Sequence, residues 1–477
     1  MNIKLATMIL VSTLCLNAAA ASAAENASAV EPKPGNLPAS AQPQTDDFFL
    51  TLTQAIEIAE ALNHDILMAQ QKITDAQLQI TEVSAVGLPQ LTAGASYGRQ
   101  DPILSQQSTD TSAGGAAGGL GSNPQFAAFL GTASVNTFSS NVTLNQVLFN
   151  GFRVLDGIRI AQINLESQGH ALRQTRQNVV FQVSNAYFNA LRAHEMILID
   201  QDNLKQIQEQ MRVAEVKLKA GAGLKIDVLQ AQSQMLQLQQ KMSQDLNSYE
   251  KAKMSLNQVM GRNLDHPIEL NTLATVKDYV GDSSQHLQIA LDHRSDLRQI
   301  KLQKEMSEMN ASLQARAIWP TLSAQVRYSL QDNSVVNGNN RSIQNVNYGL
   351  NLNWPIFDGF AAQAKSQRAQ QAASQAQLSF DQMQQRVILE IQQAMMDLQE
   401  AKERELLAKE SVQVAQENFR LASISYKEGV GLMLNILSAQ TNLQQAQSAV
   451  VNARFDLNTR KARLYQALGL DIIDQLR

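Results

Sequence analysis

Cysteine occurs once in this 477-residue chain, at Cys15, inside an N-terminal segment that reads as a secretion signal. The remainder therefore has no disulfide, no thiolate metal site and no thiol nucleophile. Aromatic residues make up only 5%, little for a globular enzyme core. Positive charge is not in excess: the formal net charge is −4, so no basic field points to nucleic acid. Beyond the N-terminus no apolar run reaches 18 residues, so no transmembrane helix is expected. Proline is missing from 125 to 266 and from 356 to 477, and glycine is also missing from Phe360 to Glu428. Without helix breakers, such stretches can hold very long helices.

Catalytic signatures are missing too. The six histidines include no HExxH, and neither a P-loop nor a nucleophile elbow occurs. The Gly-rich stretch Gly114 to Gly121 lacks a following Lys-Ser/Thr and reads as loop. His286 and His293, seven apart beside Asp292, read as a solvated helix face in preference to a metal site. The expectation is a protein that is not an enzyme, with no metal and no cofactor. Any energy it needs must come from a partner.

What is present begins with the N-terminus. Lys4, the apolar Met8 to Leu16 and Ala21-Ser22-Ala23 have the order of a signal peptide, assigned to 1–23. An uncleaved anchor is the weaker alternative. Residues 24–47, rich in Pro, Ala and Ser, read as a flexible leader.

The rest is duplicated. Phe149-Asn150-Gly151-Phe152 returns as Phe357-Asp358-Gly359-Phe360, 208 residues on. Lys219 to Gly223 answers Lys427 to Gly431 at the same offset, and Gly261 answers Gly469. Leu88-Pro89 answers Trp319-Pro320 at 231. The 23-residue difference falls in Ser105 to Gly131, read as a long exposed loop. The halves are placed at 48–281 and 282–477.

Each half carries two runs of strict alternation, near 90–99 and 137–147, then near 321–331 and 345–355. Leu322, Ala324, Val326, Tyr328 and Leu330 alternate with polar residues, and so do Val346, Tyr348, Leu350, Leu352 and Trp354. Period-2 alternation gives one apolar and one polar face. A soluble sandwich has the same pattern. The run lengths, the neutral Asn, Gln, Ser and Thr of the polar face, and aromatics near the ends favour a membrane barrel. Lipid-exposed strands must close, and four cannot. The barrel must be shared between copies: two would give eight strands and three would give twelve.

Helices are expected at 153–220 and 226–260, and again at 361–428 and 433–468, with shorter ones at Thr53 to Val86 and Gln285 to Ile318. Thr53 is the expected cap of the first. Ala394, Ala401, Ala408, Ala415 and Ala422 recur by heptads, interleaved with Ile391, Leu398, Glu405, Val412, Phe419 and Tyr426. This is a supercoiled seam. Gly221/Gly223 and Gly429/Gly431 mark tight hairpin tips. The fold class is thus a mixed α+β membrane protein, internally duplicated. It combines a shared transmembrane β-barrel, four strands per protomer, with a long antiparallel coiled-coil α-helical barrel. A periplasmic coiled-coil adaptor is the alternative, although an adaptor would show one hairpin and not two.

These features resemble the TolC family of outer-membrane efflux and secretion channels. The marks are Leu50 to Ile56 (LTLTQAI), Leu88 to Leu91 (LPQL), Pro355 to Gly359 (PIFDG), the two Gly-tipped hairpins and the closing Ala467 to Leu470 (ALGL). The resemblance implies a homotrimer with a 12-stranded barrel in outer-membrane lipid and a 12-helix periplasmic tube. It implies a periplasmic adaptor and an inner-membrane transporter as partners, in multidrug efflux or type I secretion. The tips would close the entrance, with Tyr426 matching a tyrosine that helps hold the closed state. Members carry two entrance aspartates where this chain has Asn435 and Ser438; Asp227 holds the matching place in the first half. An entrance less acidic and less prone to block by multivalent cations is expected. Asp227 reads equally as a carboxylate favouring its helix N-terminus, and Tyr426 as a seam residue.

Overall fold

The computed structural model describes residues 49–100, 135–271, 276–277, 283–335 and 341–470. The expected signal peptide and leader, Cys15, and the loop Ser105 to Gly131 lie outside the described residues.

Two 67-residue helices dominate, α3 (Arg153–Lys219) and α7 (Ala361–Lys427), each about 100 Å long at 1.5 Å per residue. The shorter helices are α1 (Leu52–Leu62), α2 (His64–Ala85), α4 (Lys225–Met260), α5 (Ser283–His293), α6 (Ser295–Ala315) and α8 (Met433–Leu468). In α7 the heptad alanines Ala394, Ala401 and Ala408 are buried with Ile391 and Tyr426, while Leu407 and Val414 off the seam are exposed. Alanine at the contact lets neighbouring backbones approach closely, so the stripe packs without needing large side chains.

Two expected helices are each broken. Thr53 to Val86 divides at Asn63, and Gln285 to Ile318 divides at Arg294, with a 3-10 turn over Arg316–Ile318. Neither breaker is Pro or Gly. Asn63 has extended ψ (127°) and its side chain accepts from the N–H groups of Asp65 and Ile66, which starts α2 afresh. The cap of α1 is Thr51 and not Thr53. Its hydroxyl accepts from Gln54 N–H while the Gln54 side chain accepts from Thr51 N–H, a capping box.

The breaks serve end-to-end joints. α4 ends at Gly261 (φ 77°), whose Cα lies so near Leu62 that a Cβ would sit 2.5 Å from the Leu62 carbonyl oxygen. Asn63 donates to the Val259 carbonyl at 2.7 Å across this joint. α8 ends at Gly469 (φ 73°) against Arg294, which donates to the Ala467 carbonyl at 3.1 Å. So α2 continues the line of α4, and α6 continues that of α8. Across the helical layer the order is the α2/α4 line, α3, the α6/α8 line, then α7. The main core lies near the joints, where Tyr187, Phe188 and Leu191 of α3 meet Ile56, Leu256, Met260 and Tyr465. His286, expected on a solvated face, is buried instead, at 4% exposure.

The four strands form one antiparallel sheet in the order β1 (Gln90–Gln100), β2 (Val135–Phe149), β3 (Thr321–Val335), β4 (Arg341–Asn353). Register aligns the alternation into rows: Leu91, Leu144, Val326 and Tyr348 on one face; Thr92, Thr143, Arg327 and Asn347 on the other. Among the described residues nothing covers the apolar face, with Leu91 70% and Tyr348 78% exposed. After β2 and β4, Gly151-Phe152 and Gly359-Phe360 all have positive φ and turn the chain from strand into long helix. Phe149 and Phe152 pack on Trp319, with centroids 6.4 and 6.2 Å away. Their counterparts Phe357 and Phe360 are exposed.

Candidate functional site

Both hairpin tips are built alike. Gly221 and Gly429 take positive φ (72° and 82°), which ends the long helix in a left-handed turn. Gly223 and Gly431 answer a different demand, close approach. A Cβ on Gly223 would stand 2.9 Å from Lys217 Cβ, and one on Gly431 would stand 3.0 Å from Tyr426 N.

A three-residue cluster links the two tips. The Tyr426 hydroxyl, at the end of α7, donates to the Asp227 carboxylate in the first turn of α4 at 3.2 Å. Lys217 of α3 donates its ammonium to the Tyr426 carbonyl and lies 4.4 Å from the Tyr426 ring centroid. Burial pushes the Tyr426 hydroxyl pKa up to about 12, and the Asp227 charge and hydrogen bond push the same way. The phenol is therefore a neutral donor at any physiological pH. Around it Ile207 and Ala214 of α3, Ala231 and Leu238 of α4, and Met433 and Ile436 of α8 form a dry cluster. Tyr426 thus fills the seam and bonds across it. Asn435 and Ser438 are exposed and take no part in the cluster. Lys217 escaped the sequence reading; its signal was a lysine one turn before the first tip, at the place matching Ser425.

Above the tips, α3 and α8 meet through polar groups. Gln440 donates to the Asn203 carbonyl at 3.1 Å, Asn203 donates to Gln447 at 3.2 Å, and Gln444 donates to Asp200 at 3.1 Å. Lys241 of α4 bridges the buried Asp200 (3.1 Å) and Asp245 (2.7 Å). Burial raises the Asp200 pKa, the Asp245 hydrogen bond adds to this, and Lys241 opposes it. Between the two hairpins a polar band thus lies above the apolar cluster of the tips. Among the described residues no His, Cys, Asp and Glu cluster fits a metal ion, and no helix is long and apolar enough to cross a membrane.

Comparison with known proteins places this architecture. The family model described as outer membrane efflux protein matches residues 55–262 and 286–470. The chain is 25% identical to the outer membrane efflux protein BepC of Brucella suis over 71% of its own length and 74% of BepC. It is 22% identical to the cation efflux system protein CusC of Escherichia coli over 88% of its length and 87% of CusC. Its fold matches a crystal structure of CusC with a TM-score of 0.71 at 20% identity, covering 91% of this chain and 96% of that one. The Campylobacter jejuni CmeC outer membrane channel matches with a TM-score of 0.71 at 17% identity, over 88% and 85% of the two chains. The chain belongs to the outer membrane efflux protein family, the TolC-like channels of the outer membrane whose helical part lies in the periplasm.

Proposed function

We propose that three copies of this chain close into one passive duct, gated at the helix tips, through which an inner-membrane transporter and a periplasmic adaptor export cargo. One observation carries this reading: three contacts between the first half and the second have duplicated counterparts left open at the edge of the chain. β2 pairs with β3, while β4 and β1 are sheet edges. Phe149 and Phe152 pack on Trp319 of the other half, while Phe357 and Phe360, their matches, are 74% and 67% exposed. Phe188 of α3 is buried against Phe455 of α8, while its match Met396 on α7 is 69% exposed. A next copy, placed as the second half sits on the first, would cover all three. Such a head-to-tail contact builds a ring. The uncovered apolar face of the sheet suits lipid and the polar face a wet lumen, which disfavours a soluble adaptor. No catalytic step or cofactor is needed.

Two exposed residues of α7 that lie off its buried seam supply a test. Leu407→Glu combined with Val414→Glu changes residues exposed in the single chain, so the chain should fold, but two carboxylates would enter the interface with the next copy. Loss of the oligomer on native gels is expected; an oligomer as abundant as wild type would oppose the ring. The conduit itself is tested by discrete conductance steps from purified protein in planar bilayers, and a protein that never conducts would overturn it. In the same recordings trivalent cations should block weakly. Asn435 and Ser438 are neutral and Asp227 is engaged by Tyr426, so strong block at micromolar concentration would contradict this entrance.

A further inference from the structure

The polar face of the sheet is almost free of charge. On the strands β1 to β4 its register positions hold Gln, Thr, Ser, Asn and Gly, with few exceptions. The charged exceptions are Arg327 and, at the outer end of β4, Arg341. Arg327 lies near the middle of the 15-residue β3. Its row is Thr92, Thr143, Arg327 and Asn347; the rows on either side are Gln90, Asn145, Gln325, Gly349 and Gly94, Asn141, Ser329, Asn345. The side chain is exposed and forms no ion pair or hydrogen bond among the described residues. Among the described residues no carboxylate shares its face of the sheet.

We propose that Arg327 is a selectivity-determining residue of the conduit, a cationic ring at mid-height of the barrel that favours anionic solutes over cations. The inference rests on the trimeric duct, which turns one guanidinium per chain into a ring on the lumen face. Rings of charged side chains set selectivity in other pores, because low-dielectric walls focus their field into the lumen. A neutral lining of amides and hydroxyls leaves this ring as the main fixed charge of the barrel. Its place on a strand and not on a loop holds it at one height. The solute class it would assist is that of small organic anions such as carboxylates, and it would slow divalent cations.

The test is the reversal potential of full-length protein in planar bilayers under a KCl gradient. Wild type should prefer chloride. Arg327→Gln should lower the chloride-to-potassium permeability ratio by about twofold or more at roughly 0.1 M salt, where the screening length is ~10 Å. Arg327→Lys keeps the charge and should keep the ratio. Near ~1 M salt, with a screening length of ~3 Å, the difference should collapse. A conducting Arg327→Gln channel with the wild-type ratio at low salt would overturn the assignment alone. So would a change that persists undiminished at high salt, since that marks altered shape and not charge. Wild type that never conducts would overturn the duct and this ring together.

Discussion

Tyr426→Phe should raise the time-averaged resting conductance of the channel by about tenfold or more. The substitution keeps the ring in its dry cluster and removes one hydrogen bond to a carboxylate, a bond worth roughly 1.5–3 kcal/mol. At 3.2 Å the bond belongs at the low end of that range. If three tips open together, the losses combine to about 4.5 kcal/mol, and each 1.4 kcal/mol is a factor of ten in the open-to-closed ratio. Adding Lys217→Met removes the second tie, to the Tyr426 carbonyl, and should raise conductance further. The pH dependence has a definite sign. Tyr426 ionises at about 12 against an ordinary 10.0. Its contribution is therefore complete below 10 and is lost as pH rises toward 12. Conductance attributable to this bond should be flat through neutral pH and rise only in that alkaline window. An intact oligomer whose double variant conducts like wild type would show that the cluster is packing alone.

Arg294→Met should destabilise the protein by about 2–4 kcal/mol, more than removal of the Asn63 side chain at the other helix joint. The Arg294 side chain is 9% exposed and holds Asp296 at 2.5 Å, Glu390 at 2.8 Å and the Ala467 carbonyl. Burial acts to lower its pKa, but Asp296 and Glu390 outweigh that and raise it. Methionine fills the volume but leaves two carboxylates and a helix-terminal carbonyl without their partner. Breaking a buried pair costs about 3–5 kcal/mol. Glu390 retains 31% exposure, so about 2–4 kcal/mol is expected at this site. The matching change at the other joint, Asn63→Ala, removes a cap and one cross-joint bond and should cost about 0.5–2 kcal/mol. Thermal denaturation of the detergent-solubilised oligomer should rank wild type above Asn63→Ala above Arg294→Met. Equal melting of Arg294→Met and wild type would mean that the α6/α8 joint is held by packing alone.

The two joints also show where sequence reading stops. Heptad spacing located the seam because Ala394, Ala401, Ala408 and Tyr426 meet a neighbour every second turn, a local and periodic constraint. Alternation located the sheet for the same reason, since register follows from which face is apolar. The breaks at Asn63 and Arg294 are not periodic. Their partners are the Val259 and Ala467 carbonyls, 196 and 173 residues away, and neither residue type breaks a helix by itself. Lys217 was invisible likewise, because its partner lies 209 residues on. His286 was misread because a polar residue on a short helix looks solvated until the neighbouring helices are placed over it. At the tips, the glycines were legible as turns, but only the structure separates Gly221 and Gly429, which need positive φ, from Gly223 and Gly431, which need close approach. Asn435 and Ser438 were selected by analogy with channels that carry aspartates there, and they lie apart from the Tyr426, Asp227 and Lys217 cluster.

Native mass spectrometry of the protein extracted from the outer membrane, stripped of detergent in the gas phase, bears most directly on the unfinished edges of the single chain. Three copies per particle are predicted, enough to pair β4 with β1 around a twelve-stranded ring. A stable monomer, or a particle of two copies, would contradict the account.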